Sequence, residues 1–319
     1  MNIGFAGSDS FSLEILSGLK EMAASRFSLD LILTIPAKSQ GRGRVFSDNP
    51  VTSFSKENNL QIETISSSQV LENFLAEKIS NLDYLIVASF GCLLTEETLA
   101  LPKYGCINVH PSLLPKWRGA APIQRAIEAG DEVTGVSVMK MISKLDAGPV
   151  WKVGEYKIGN NDNYMYLEKK LAKISLDLLR VFVETPYDRI TFKPQSQTGI
   201  TYAKKIEASE MEIDWALPAT EVARKVNAFY SKMCAHTFLD KQRIKLGHVE
   251  VLEPYLISNK PPGTLVIGKK KKESTLTVYC GKGMLKINLL QKAGGKWLDA
   301  NSFINGLKGY SEILLGGNS

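Results

Sequence analysis

Hydrophobic residues in the first half of the chain form short continuous runs separated by segments with helical spacing. The runs at residues 2–6, 29–35 and 83–89 are largely apolar, as in strands that are buried on both faces of a parallel sheet. Between the first two runs, apolar residues recur on one face of a predicted helix: Phe11, Ile15, Leu16 and Leu19. Residues 67–79 predict a further helix. This alternation predicts an α/β domain with a mostly parallel sheet.

The pattern changes after residue 184. Residues 167–182 keep helical spacing and close the first domain, and the polar, proline-containing stretch 185–205 predicts a linker. A helix is predicted at 219–229. Short apolar or alternating runs then follow at 244–252, 264–267, 275–279 and 285–290. Such closely spaced short strands predict a small barrel or sandwich, so we divide the chain into domains at 1–184 and 206–319, joined by the linker.

The segment 105–150 combines this regular pattern with reactive side chains. A short apolar strand at 106–109 carries Asn108, and His110 follows on the same face because side chains alternate along a strand. A second strand at 135–141 leads to a loop with Asp146. An amide can stabilise an oxyanion, an imidazole can move a proton and a carboxylate can orient or accept one. Taken alone, an Asn-x-His string favours the simpler interpretation of a polar strand end, with His110 bonded to the backbone and Asp146 capping a turn.

Composition and length narrow the class of protein. The 319 residues suffice for two domains, and no run of eighteen apolar residues or secretory leader is visible. The four cysteines are scattered, and the three histidines lack the spacing of a metal site. We therefore expect a reduced, cytoplasmic protein without a structural metal.

Charge is unevenly distributed along the chain. From Pro186 onward there are 20 Lys and Arg against 12 Asp and Glu, whereas the preceding part has 19 against 21. A near-neutral first half and a basic second half favour chemistry in the first and a polyanionic partner for the second. The same excess is common on solvated surfaces, so it gives only weak support.

The string around Asn108 gives a much stronger indication. Asn108-Val109-His110, then SLLPKWRG at residues 112–119, then Leu145-Asp146-Ala147-Gly148 resemble the 10-formyltetrahydrofolate-dependent formyltransferases, above all those acting on methionyl-tRNA. The resemblance runs from the first strand to nearly the last residue. It implies a Rossmann-like catalytic domain followed by an OB-like β-barrel that contacts tRNA. It also implies transfer of the formyl group of 10-formyltetrahydrofolate to the α-amino group of methionyl initiator tRNA, for translation initiation.

The same resemblance assigns roles to individual residues. It makes Asn108, His110 and Asp146 catalytic, with Asp146 holding His110 in position. Folate would lie along two loops and Asp146, the loops being formed by Phe90, Gly91, Cys92, Leu93 and by Ser112, Leu113, Leu114, Pro115. Arg42 and Arg44, in a glycine-rich basic loop, would contact the tRNA acceptor end. The run 269–272 is more typical of a solvated turn, with tRNA contact as the alternative.

Several related activities stay open at the level of sequence. A formyltransferase acting on a sugar-nucleotide amine has a similar layout, while one acting on glycinamide ribonucleotide does not need a second domain. A formyltetrahydrofolate hydrolase passes the group to water, and a tRNA-binding protein without activity would leave the three polar residues without a purpose. The basic loop and basic second half favour tRNA. However, residues 230–233 read Tyr-Ser-Lys-Met where the family usually has an Asn-Pro-Trp-Pro-like string.

Overall fold

A computed structural model describes residues 1–40, 45–68, 71, 76–230, 233–269, 274–307 and 312–316. The chain divides into two compact units. The first contains Met1–Pro122, Val133–Lys157 and Glu168–Lys204, and the second contains Ile123–Glu132, Ile158–Leu167 and Lys205–Ser319. Packing therefore groups two short segments that precede residue 168 with the second unit. Within the described residues, no helix is both long and apolar enough to cross a membrane.

The described helices and strands of the first two thirds of the chain follow the predicted α/β pattern. In chain order they are β1 (Asn2–Ala6), α1 (Ser10–Arg26), β2 (Ser28–Thr34), β3 (Lys38–Gln40), β4 (Val45–Ser47), α2 (Pro50–Glu57), β5 (Ile62–Thr64), α3 (Ala76–Ser80), β6 (Tyr84–Val87), α4 (Glu96–Ala100), β7 (Cys106–His110), β8 (Arg118–Gly119), α5 (Pro122–Ala129), β9 (Val133–Lys140), β10 (Val150–Lys157), α6 (Tyr164–Glu184) and β11 (Tyr202–Ala203).

A seven-stranded sheet forms the centre of the first unit, in the order β10-β9-β7-β6-β1-β2-β5. The five strands from β7 to β5 are parallel, whereas β9 and β10 are antiparallel to their neighbours. Residues of β6 and β7 are buried on both faces of the sheet, which explains their nearly continuous apolar sequence. The predicted mostly parallel sheet is confirmed.

Helix α1 illustrates how the sequence determines where a helix begins and which of its faces is buried. Asp9 is its N-cap and accepts a hydrogen bond from the Ser12 backbone N–H, so the helix begins at Ser10. The apolar face that the spacing predicts is buried, with Ile15 and Leu16 fully inaccessible. Burying each such side chain stabilises the fold by about 1.5–3 kcal/mol.

The second unit is an antiparallel β-structure that is nearly closed. Its described elements after residue 205 are α7 (Ala219–Ala228), β12 (His236–Leu239), β13 (Gln242–Glu253), β14 (Thr264–Lys269), β15 (Ser274–Tyr279), β16 (Met284–Lys292), β17 (Trp297–Asp299), α8 (Ala300–Asn305) and β18 (Glu312–Leu314). The strand order is β12-β13-β16-β15-β14-β18, with β17 paired to β16. A hydrogen bond of 2.9 Å from Gly316 N to Phe238 O joins the two outer ends. The predicted small barrel is confirmed.

Residues 185–204, predicted as a linker, are packed within the first unit. Strand β11 pairs in parallel with β8, and Lys193 forms a β-bridge with Val150. The segment therefore supplies hydrogen-bonding groups to the loop that follows β7.

Candidate active site

The carboxyl end of β7 presents two of the predicted site residues side by side on one face. Asn108 and His110 are two positions apart on this strand, and they are 9% and 4% exposed. The parallel register pairs Val87 of β6 with Asn108. The chain that leaves β6 at Ala88 therefore emerges at the same edge of the sheet, where ligand sites of open α/β sheets lie.

Asp146 reaches this position from a different direction. Because β9 is antiparallel to β7, its last residues lie beside the start of β7, where Met141 N donates to Cys106 O. The loop 141–149 then returns along β7. There the Asp146 carboxylate accepts from Asn108 Nδ2 at 3.2 Å and from Gly119 N at 2.8 Å. Asp146 has a φ of +46°, a conformation that aspartate tolerates better than most residues.

The His110 ring is held chiefly by a backbone carbonyl. Nε2 lies 2.9 Å from Trp117 O, and since a carbonyl only accepts, this nitrogen carries a hydrogen. Nδ1 lies 3.8 Å from Asp146 Oδ2, too far for a direct hydrogen bond. The orienting contact that the resemblance assigns to Asp146 is thus made by Trp117, and Nδ1 faces the Asp146 carboxylate.

The loop between β7 and α5 is fixed from two sides. Trp117 N donates to Thr201 Oγ1 at 2.9 Å, and Ala120 N donates to Ala203 O at 2.8 Å. At its start, Ser112 is fully buried and its hydroxyl donates to Lys116 O at 2.6 Å. The Ser112 hydroxyl is therefore used within the loop and is not presented as a nucleophile.

The two loops predicted to contact folate differ in what they expose. Leu113, Leu114 and Pro115 are half-buried, so their side chains are partly accessible. In the other loop Phe90 is 3% exposed and packs in the core of the sheet, whereas Leu93 is 71% exposed. Burial raises the pKa of the half-buried Cys92 thiol, which keeps it protonated at neutral pH.

Two polar side chains near the site have no counterpart among the residues singled out from the sequence. Gln195 donates to the backbone carbonyls of Asp146 and Gly148, and Thr201 binds the backbone of Trp117. Both lie in the stretch read as a linker. Their partners are 49 and 84 positions away, and no local sequence pattern indicates contacts over such separations.

Other predicted residues lie outside the described part of the chain. These are Arg42 and Arg44, residues 270–272 of the lysine run, and Ser231 and Lys232. On either side of the basic loop, β3 and β4 pair as antiparallel strands, with Lys38 opposite Ser47. The predicted basic loop lies between these two strands in the sequence.

Two cavities of the first unit lie away from these residues. The larger, about 380 Å³, is lined by residues between α4 and β7 and at the end of β9, including Leu99, Tyr104 and Lys140. The smaller, about 310 Å³, lies between α1 and α6. Neither is lined by Asn108, His110 or Asp146. Among the described residues, no group of three or more His, Cys, Asp or Glu is arranged to hold a metal ion.

Gly119 is a position where glycine is required. Its φ is +122°, and a Cβ would lie 2.7 Å from Ala203 O. Gly119→Ala is therefore expected to strain the backbone, separate β8 from β11 and pull the Gly119 amide from Asp146, costing about 1–3 kcal/mol. Thermal unfolding followed by circular dichroism measures this loss.

Gly199→Ala is the matched control for this substitution. Gly199 also has a positive φ, +76°, but nothing lies within 4 Å of its added Cβ. Its melting temperature should therefore fall less than that of Gly119→Ala. Equal melting temperatures for the two variants would show that the close approach to Ala203 is unimportant.

Comparisons with known proteins show the family to which this chain belongs. The sequence matches the formyl transferase family over residues 1–183 and the formyl transferase C-terminal domain over residues 205–308. A methionyl-tRNA formyltransferase of Xanthomonas axonopodis pv. citri (strain 306) is 37% identical over 315 residues, covering 96% of this chain and 97% of that protein. The enzyme of the same name from Methylococcus capsulatus is 36% identical over 308 residues, covering 96% of each.

A solved structure shares the fold at much lower identity. It is the N-formyltransferase from Helicobacter canadensis in complex with folinic acid and dTDP-3-aminofucose. The TM-score is 0.63 at 15% identity, and the match covers 91% of this chain and 98% of the other. By its sequence matches, this chain belongs to the formyl transferase family and carries both the formyl transferase domain and the C-terminal domain of that family.

Proposed function

We propose that this protein transfers the formyl group of 10-formyltetrahydrofolate to the α-amino group of methionyl initiator tRNA, in the cytoplasm, for translation initiation. The observation that carries this proposal is identity of 36–37%, over 96% of the chain, to proteins named methionyl-tRNA formyltransferase. The cluster of Asn108, His110 and Asp146 supplies the chemistry that the reaction needs. In this assignment residues 1–184 form the catalytic domain, residues 185–205 lead from it to the second domain while supporting the site loops through Gln195 and Thr201, and residues 206–319 contact tRNA.

The first role is stabilisation of the oxyanion that forms when the amine attacks the formyl carbon. Asn108 Nδ2 has two hydrogens, and one of them is committed to Asp146 Oδ1 at 3.2 Å. The other is available to the developing negative charge. The bond to Asp146 fixes the amide plane before the reaction, and such preorganisation makes a donor effective in a desolvated site.

The second role is movement of protons. The attacking amine must lose a proton, and N10 of the folate must gain one as it leaves. His110 Nδ1 and Asp146 Oδ2 lie 3.8 Å apart, so a reacting group or a water beside the pair can form a hydrogen bond to both. Asp146 accepts the amine proton, and His110, with a hydrogen on both ring nitrogens, donates one from Nδ1 to N10. The proton held by Asp146 then passes to His110, which restores both groups. No covalent enzyme intermediate is needed.

The third role is binding of the two substrates. Folate lies along residues 90–93 and 112–115, next to Asp146. Exposed Leu93, the half-buried apolar side chains of residues 113–115 and the loop backbone suit a flat heterocycle with a hydrogen-bonding edge. For tRNA, Arg42 and Arg44 bind phosphate at the acceptor end, and the C-terminal barrel, a fold often used on nucleic-acid backbone, holds the rest. The positive charge of the chain after Pro186 supports this.

Arg42→Ala is expected to weaken binding of methionyl-tRNA and to lower the slope of log affinity against log salt by about 1, because one phosphate contact is lost. Fluorescence anisotropy with labelled tRNA at several salt concentrations measures the slope. Arg26→Ala is the control, since Arg26 forms an exposed ion pair with Glu184 in the first unit. An unchanged slope for Arg42→Ala would remove this arginine from the interface.

A competition assay tests the proposed function as a whole. Purified protein is mixed with 10-formyltetrahydrofolate and equal amounts of charged initiator tRNA, an amino-sugar nucleotide and glycinamide ribonucleotide, and formate is also measured. Formyl-methionyl-tRNA as the main product supports the proposal. Formylation of a sugar amine or of glycinamide ribonucleotide would overturn it, as would release of formate without transfer.

A further inference from the structure

Gln195 lies at the centre of a buried polar network behind Asp146. Its Oε1 accepts from Arg118 Nε at 3.1 Å and from Arg118 Nη2 at 2.7 Å. Its Nε2 donates to Asp146 O and to Gly148 O, both at 2.8 Å. Arg118 is 3% exposed and Gln195 is 9% exposed, so these bonds are shielded from water.

The partners leave only one orientation for the Gln195 amide. A guanidinium only donates and a backbone carbonyl only accepts, so Oε1 faces Arg118 and both hydrogens of Nε2 are used on the Asp146 loop. A glutamine held this way connects a buried cation to two backbone carbonyls of the loop, two residues apart. It fixes the loop backbone through donors that no other residue type of the same length supplies.

The Asp146 loop needs this support because its backbone is constrained at two positions. Asp146 is in the left-handed region with a φ of +46°. Gly148 packs so closely that an added Cβ would lie 1.9 Å from Lys140 O. A shift of the backbone at Asp146 moves its carboxylate away from Asn108 and Gly119, which are its two hydrogen-bond donors.

We propose that Gln195 is a positioning residue for Asp146, with Arg118 as the anchor that orients it. This inference rests on the proposed function, because it assigns to residue 195 an effect on the formyl-transfer step. Gln195 touches neither substrate in this role. It acts through the backbone of the loop that carries the carboxylate.

Gln195→Met keeps the length of the side chain and removes all of its hydrogen bonds. We expect kcat to fall by about 10- to 100-fold, the usual effect of misplacing a catalytic group by roughly 1 Å. KM for 10-formyltetrahydrofolate and for methionyl-tRNA should stay within about threefold, since the residue contacts neither.

The Gln195→Glu variant distinguishes two possible roles of Gln195. One is to position the Asp146 loop, and the other is only to satisfy the hydrogen bonds of Arg118. A carboxylate keeps both contacts with Arg118, and it therefore satisfies the buried cation. Its other oxygen cannot donate, and it repels the carbonyls of Asp146 and Gly148. Positioning predicts that kcat of this variant also falls by at least about tenfold. A structural role, in which Gln195 only satisfies Arg118, predicts near-normal kcat, and that result would overturn the proposal even if Gln195→Met fails to fold.

A double-mutant cycle with Asp146→Asn tests whether the effect passes through the carboxylate. If it does, adding Gln195→Met to Asp146→Asn should change kcat by less than about threefold, because the group being positioned is already disabled. A further loss equal to that of the single variant would show that Gln195 acts elsewhere, and would contradict the proposal.

Asn58→Leu is the matched control. Asn58 also accepts from a cation, Lys20, and donates to a backbone carbonyl, that of Phe54, but it lies at the end of α2. Its kcat should equal that of the wild type. Failure of this inference is separable from failure of the proposed function: wild-type protein that does not formylate methionyl-tRNA refutes the function, whereas active wild type with active Gln195→Glu refutes only the role of Gln195.

Discussion

Replacing His110 by alanine is expected to lower kcat for methionyl-tRNA formylation by about 100- to 10,000-fold, the range typical for loss of a general acid–base. The ring offers Nδ1 to the reacting groups while Nε2 is committed to Trp117 O at 2.9 Å. Without the ring, N10 of the folate has no positioned proton donor as it leaves. Rapid-quench kinetics at saturating substrates measures the loss.

The alanine variant also removes the bond to Trp117, so a second variant is needed to isolate the proton transfer. His110→Gln retains a donor that reaches toward Trp117 O, but its amide cannot act as a general acid or base near neutral pH. We expect it to bind folate normally and to be nearly as slow as His110→Ala. A His110→Gln variant with kcat within about threefold of wild type would show that His110 serves only to hold the loop.

The second large effect is expected at Asn108. Asn108→Ala removes the oxyanion donor, and we predict a fall of about 100- to 1000-fold in kcat, equivalent to about 2.7–4 kcal/mol of transition-state stabilisation. The loss should appear in kcat and in kcat/KM alike, because the contact forms fully only in the transition state. Folate affinity should change little.

Asn108→Ala also leaves the Asp146 carboxylate with one donor fewer. The remaining bond from Gly119 N, at 2.8 Å, keeps Asp146 in place. Folate binding measured by fluorescence titration and steady-state kinetics together check this. A rise in KM with unchanged kcat would mean that Asn108 contributes to binding and not to the chemical step.

The fold was predictable where burial dictates the sequence. Strands β1, β6 and β7 are almost entirely buried, so their residues are mostly apolar. Helix α5 begins at Pro122, a residue suited to a first helical turn, and ends just before Gly130. The barrel followed in the same way from short alternating strands. In each case the local pattern of apolar and polar residues reflects which parts of the element are buried.

The site was predictable only in part. The spacing of Asn108 and His110 on one strand places them together, but Asp146 was assigned by resemblance, because nothing local indicates that its loop returns along β7. The contact of His110 with Trp117 depends on a turn in which Trp117 has a φ of +62°. Gln195 and Thr201 act over long separations in sequence, and a polar stretch that makes such contacts looks like a linker.

A single-turnover experiment tests the central claim most directly, namely that Asn108, His110 and Asp146 form one site for formyl transfer to methionyl-tRNA. Enzyme in excess is mixed with labelled 10-formyltetrahydrofolate and charged initiator tRNA, and the label is followed in formyl-methionyl-tRNA, formate and remaining folate. Wild type should place the label on the methionyl amine, and the Asn108→Ala, His110→Ala double variant should leave it on the folate. Label in formate with wild type, or transfer at near wild-type rate by the double variant, would contradict the account.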